Sequence, residues 1–122
     1  MAWPGTPLPP PRFALTGLAT QNHLAVTYPT GDMQLDMRPY SHVRTHAAAR
    51  YRLYAVVDHL GSSIRMGHYI AKVKAQWHGA LAIPNVADNS WWQADDAVVT
   101  ALSPQEVHDP HAVHLLFYER CP

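Results

Sequence analysis

Between residues 51 and 59 the chain reads YRLYAVVDH, β-branched, aromatic and apolar on both faces after Arg52. That is the pattern of a strand with neighbours on either side. From His68 to Lys74 strict alternation takes over, with Tyr69, Ala71 and Val73 on one face and Ile70, Lys72 and Lys74 on the other. Gly61-Ser62-Ser63 separates the two runs. They should pair as a hairpin, with a loop of roughly seven or eight residues against the usual ~2–5.

Shorter elements surround this hairpin. Leu24 to Tyr28, punctuated by Pro29 and Gly31, predicts an edge strand, and residues 33–40 predict a short strand or a one-turn element ending at a proline. Residues 41–50 read as a polar connection with a helical turn over the alanines, and residues 77–90 as an irregular excursion. Short strands follow at Trp91–Ala94 and Val98–Ala101. Ser103-Pro104-Gln105-Glu106 places a serine N-cap, a proline at the first helical position and a capping-box glutamate in order, so a short helix begins there and ends by Asp109-Pro110. AVHLLFYER, residues 112–120, predicts a closing strand in the middle of a sheet. The sum is an α+β, β-dominant fold, an antiparallel sheet of about five or six strands with one short helix.

Composition sharpens this picture at three points. The 122 residues suit one domain with a real core, and no apolar run approaches the ~20 residues that cross a bilayer. Five of the eleven prolines fall in residues 4–11, predicting an extended arm that belongs to no core; the chain is divided into a proline-rich arm (1–21), a folded region (22–120) and a tail (121–122). The formal net charge is zero, so no basic field draws nucleic acid or an anionic membrane. The opening MAWPGTPLPPP has no positively charged region followed by an apolar stretch, so it does not read as a secretory signal, and an intracellular location, cytoplasm or nucleus, is expected.

The chemistry centres on His68. An imidazole hydrogen-bonded to a carboxylate is held in one tautomer and can act as a general base toward a thiol or hydroxyl. His68 at the start of one strand and Asp95 at the end of another could converge at a sheet margin, and Gly67, without a Cβ, lets a substrate backbone approach. Taken singly, His68 also reads as a structural histidine, Asp95-Asp96 as a solvated turn, and Trp91-Trp92 as core or rim aromatics. His108, His111 and His114 recur at every third position, but Pro110 interrupts them and no acid or thiolate partner is evident, so no metal site is expected. The single cysteine, Cys121, follows the last strand with no base beside it in sequence.

Four ordered blocks, YRLYAVVDHLGS, GHYIAKVK, WWQADDAVVTALSPQEV and AVHLLFYER, resemble the C-terminal half of the catalytic domain of ubiquitin-specific proteases, the papain-like cysteine deubiquitinases. The first resembles the family's valine-x-histidine-x-glycine strand, the second its histidine box, the third the tryptophan-led segment with the last triad member, the fourth its closing strand. The resemblance runs from Tyr51 to Arg120, with a looser match at residues 22–40. It implies that residues 22–120 are the sheet half of a papain-like protease fold, with His68 as base, Asp95 orienting it and Asp96 supporting the site or its oxyanion. It further implies that Gly67 and Tyr69 line a channel for the ubiquitin tail, that Leu60–Met66 form a blocking loop, and that no cofactor is needed. Met66 stands where a second glycine is usual, Ala94 where an aromatic is common and Asp58 where asparagine is frequent.

One part of the family pattern is absent. The nucleophilic cysteine of these enzymes lies in a box well before the histidine, and the 122 residues hold no cysteine there. Without a nucleophile the covalent route to isopeptide cleavage closes, so the expected activity of these residues alone is none. The expected partners are ubiquitin or a ubiquitin-like protein and a separate cysteine-containing lobe. The alternative function is that of a non-catalytic ubiquitin-binding module.

Overall fold

The computed structural model describes residues 22, 24–30, 33–42, 49–63, 65–75 and 90–121. Six strands form one antiparallel sheet: β1 (Leu35–Asp36), β2 (Arg50–Gly61), β3 (Gly67–Lys74), β4 (Trp91–Asp95), β5 (Val98–Leu102) and β6 (Val113–Arg120). A 3-10 turn, Arg38–Tyr40, follows β1, and a single helical turn, α1 (Pro104–Val107), joins β5 to β6. β2, the longest strand and the one richest in β-branched and aromatic residues, is the hub. It carries β6 along one edge and both β3 and β1 along the other, because Tyr51 pairs with Leu35 and Arg120 at once. β4 and β5 extend the sheet beyond β3.

One face of the sheet is buried. Leu53, Val56, Trp91, Val107 and Val113 pack with Val26 and Tyr28, and Leu102, Leu116 and Tyr118 close the cluster. Strict alternation would not put Leu53 and Val56, three residues apart, on the same face. Two register shifts between β2 and β6 make it possible: an extra residue on β2 at Tyr54, and one on β6 at His114 that likewise lets Val113 and Leu116 both point inward. The opposite face carries Tyr69, Val73, Val99, Leu115 and Phe117, all exposed.

Helix α1 starts as its sequence dictates. The Ser103 backbone amide and hydroxyl both donate to Glu106 Oε2, at 2.7 and 2.8 Å, while Glu106 N–H donates to Ser103 O. Val107 at its end is buried against the sheet. Lys72 of β3 reaches the same place, donating to the carbonyls of Glu106 and Val107 at 3.0 and 3.2 Å and pairing with Asp58 Oδ2 at 2.8 Å.

Several expectations need correction. Leu24–Tyr28 is not a strand: it crosses the end of the core as an extended segment whose Val26 N–H donates to Pro110 O, and whose Tyr28 hydroxyl accepts from Asp109 N–H. Burial of Val26 and Tyr28, not ladder pairing, holds it. The β2–β3 loop is shorter than expected, residues 62–66, because pairing continues out to Gly61 and Gly67. β6 pairs only with β2 among the described residues, so it does not lie in the middle of the sheet, and Leu115 and Phe117 are exposed accordingly. Residues 33–40 supply both the short strand and the one-turn element. The proline-rich arm (1–21), the helical turn over the alanines and the excursion at 77–89 lie outside the described residues.

Candidate active site

Strand register brings His68 and Asp95 together. Ala71 pairs with Ala94, so Asp95 lies opposite Ile70 and diagonal to His68, and alternation points all three side chains to the same face. The diagonal distance between neighbouring strands is within reach of an imidazole and a carboxylate. His68 Nε2 and Asp95 Oδ1 are 2.5 Å apart at the sheet margin, both side chains a little under half exposed. Asp96 occupies the two-residue turn between β4 and β5 at φ 49°, a left-handed conformation that aspartate tolerates. Asp96 is thus a turn residue, and its carboxylate lies close to His68 and Asp95.

The pair is electrostatically tuned. The hydrogen bond that the His68 imidazole donates to Asp95 raises the His68 pKa above the ordinary imidazole value of 6.5, the Asp95 charge adds to this, and Asp96 contributes a smaller push in the same direction. With Nε2 engaged by the carboxylate, Nδ1 is the nitrogen that can take a proton from a thiol. Ligand-type atoms of His68, Asp95 and Asp96 all fall within 4.8 Å of one another, the one such group among the described residues. His108, His111 and His114 do not converge: His108 packs on Tyr28, and His114 lies against Tyr69 and His59.

Gly67 and Tyr69 flank His68 differently. Gly67 is exposed, yet the position its Cβ would take is filled by the His59 imidazole, so its lack of a side chain is required by packing on this side. Tyr69 points to the opposite face from His68, its ring edge-on to His59 at 4.6 Å between centroids and to His114 at 5.5 Å. Leu60, paired with His68, and Met66, the last loop residue before β3, are both exposed beside the site.

Cys121 is remote from His68. Its N–H donates to Arg50 O, at the beginning of β2, whereas His68 pairs with Leu60 near the end of that strand. Ten residues of extended chain separate Arg50 from Leu60, on the order of 30 Å at a strand's rise per residue. Sequence reading missed the partners behind the site: buried His59, and the buried Asp58–Lys72 pair. The signal for His59 was the valine-x-histidine-x-glycine pattern itself; nothing in the alternation of residues 69–74 marks Lys72 as buried.

Residues 10–118 match the family described as ubiquitin carboxyl-terminal hydrolase. Human ubiquitin carboxyl-terminal hydrolase 17 is 40% identical over 101 residues, which cover 81% of this chain and 16% of that protein. Human ubiquitin carboxyl-terminal hydrolase 17-like protein 13 is 39% identical over 84 residues, 69% of this chain and 14% of that one. Among solved structures, a chain of the Ubp8–Sgf11–Sgf73–Sus1 SAGA DUB module superposes with a TM-score of 0.66 at 29% identity, covering 91% of this chain and 22% of its own. The same module bound to monoubiquitin gives a TM-score of 0.67 at 26% identity, again covering 91% and 22%. The match thus spans about a seventh to a sixth of the length of these human relatives.

Proposed function

Because the chain belongs to the ubiquitin carboxyl-terminal hydrolase family, we propose that these residues carry the general base and the orienting acid of a cysteine-type deubiquitinase without its nucleophile. His68 is the base, Asp95 fixes its tautomer and stabilises the imidazolium, and Asp96 supports the charge of the pair. The observation that carries the reading is the 2.5 Å contact between His68 Nε2 and Asp95 Oδ1 on neighbouring strands.

A base and its acid activate nothing without a nucleophile. Attack on an isopeptide carbonyl needs a thiolate within hydrogen-bond reach of the imidazole, ~3 Å away, and Cys121 is held at the other end of β2. The thiol therefore comes from a separate lobe, and the 122 residues alone do not turn over substrate. Ubiquitin or a ubiquitin-like protein is the proposed partner, with Gly67 and Tyr69 beside its tail and the cytoplasm or nucleus as the setting, where thiols stay reduced. Likeness to the module solved with monoubiquitin supports the choice of ubiquitin.

Incubation of the 122-residue chain with ubiquitin bearing a C-terminal electrophile tests this, the expected result being no adduct. A Cys121 adduct that disappears in His68→Ala would overturn it, because it would show that this thiol reaches the base.

A second reading is favoured by the exposure of Leu60, Met66 and Tyr69 around the site. Here the sheet margin binds ubiquitin without cleaving it. Amide shifts at residues 60–69 on titrating ubiquitin support this module role; their absence at high ubiquitin concentration removes it.

A further inference from the structure

The backbone that presents His68 is held from below in an unusual way. Gly67, the residue before the base, is the first of β3 and pairs with Gly61, the last of β2. A Cβ on Gly67 would run into Nε2 and Cε1 of the His59 imidazole and lie 3.0 Å from Leu60 O. A Cβ on Gly61 would sit 2.6 Å from Met66 O and 2.7 Å from the Gly67 Cα, and Gly61 has φ 133°, a conformation that side-chain-bearing residues rarely adopt. The Gly67 backbone is therefore in close contact with two residues of β2 at once.

The His59 ring is itself immobilised. It is almost wholly buried, edge-on to Tyr69 and 6.5 Å from the His114 ring, so it cannot swing away to accommodate movement of Gly67. It meets the chain on both sides of His68, at Gly67 and at Tyr69.

We propose that His59 and Gly61 are positioning residues for His68: their side-by-side contacts clamp the Gly67 backbone, and the clamp sets the imidazole of His68 against Asp95. The histidine and the glycine of the valine-x-histidine-x-glycine pattern then have one physical job. A ring rather than a smaller side chain is needed at 59 to fill the space under Gly67, and only glycine at 61 allows the close approach. The inference rests on the reading of His68 and Asp95 as base and acid, but its readout is geometric and needs neither thiol nor ubiquitin.

The test is the titration of the His68 imidazole, followed by NMR in the full 122-residue chain. Wild type should titrate above 6.5 because of Asp95 and Asp96. Gly67→Ala forces the new methyl group into the His59 ring, so the His68 pKa should fall back toward 6.5. His59→Ala empties that space and should lower it as well. The double variant His59→Ala/Gly67→Ala, in which the methyl group occupies the vacated space, should titrate closer to wild type than either single variant. In an Asp95→Asn background, Gly67→Ala should produce a much smaller shift, since the carboxylate charge it would draw away from the imidazole is already gone. An unmoved His68 titration in folded His59→Ala overturns the proposal even if Gly67→Ala does not fold. So does a double variant that titrates no closer to wild type than the singles, or an undiminished Gly67→Ala shift in the Asp95→Asn background.

Discussion

Lys72 Nζ stands 2.8 Å from Asp58 Oδ2 inside the sheet's packed face, with both side chains all but sealed from water. The ammonium also donates to the Glu106 and Val107 carbonyls, so one lysine ties β2, β3 and the end of α1 together. Such a pair stabilises only while it is complete, because removing one member leaves a charge in a medium that solvates it poorly.

Lys72→Met should accordingly destabilise the chain by about 3–5 kcal/mol in urea denaturation. Lys72→Met combined with Asp58→Asn should recover most of that loss, since the stranded charge is gone. A double variant as unstable as the single would show that the lysine acts through packing instead.

The His68–Asp95 pair gives a pH signature of definite sign. The folded-state pKa of His68 is raised above 6.5, so its contribution to stability is complete below 6.5 and disappears as pH rises through the folded value. The stability difference between wild type and Asp95→Asn should thus be largest in mildly acidic buffer and shrink toward alkaline pH. Denaturation midpoints measured from pH 5.5 to pH 9 check this; a difference that grows with pH contradicts the assigned pairing.

At the start of α1 the sign is reversed. Two donors from Ser103, the amide first and the hydroxyl second, hold the Glu106 carboxyl below its usual 4.5. A depressed carboxylate contributes stability above its unfolded pKa and loses it as pH falls through the folded one. Ser103→Ala should lower the thermal midpoint at pH 7 by a few degrees at most, and the decrement should fade below pH 4. A decrement independent of pH would mean the hydroxyl acts on something other than Glu106.

The two faces of the sheet should respond to truncation very differently. Leu53→Ala, in the core, should cost about 2–5 kcal/mol. Phe117→Thr and Val99→Thr, on the open face, should each stay within about 0.5 kcal/mol of wild type. Equilibrium denaturation of the three variants distinguishes the faces; equal losses would show that the open face is covered in solution.

Much of this architecture is visible along the chain. β2 and β3 follow from β-branched and aromatic density and from period-two alternation, and the Ser103-to-Glu106 cap from side chains that satisfy orphan amides locally. The pairing of His68 with Asp95 was foreseeable for the same reason, as each sits at the end of a short strand whose neighbour was identifiable. These features depend on interactions within a few residues or on one strand pair, which is the range over which a linear pattern carries information.

What only the folded chain decides is which face is inside. By hydrophobicity alone Tyr69, Ala71 and Val73 would be buried and Lys72 exposed, yet Lys72 is 5% exposed and Val73 44%. The Asp58 charge and the carbonyls at the end of α1, remote in sequence, compensate the buried ammonium, and bulges at Tyr54 and His114 turn β2 and β6 to match. The extended crossing of Val26 and Tyr28, and the contact of His59 with Gly67, arise in the same way. Each is a meeting of residues whose free energy exists only once several strands are in place, so no local pattern announces it.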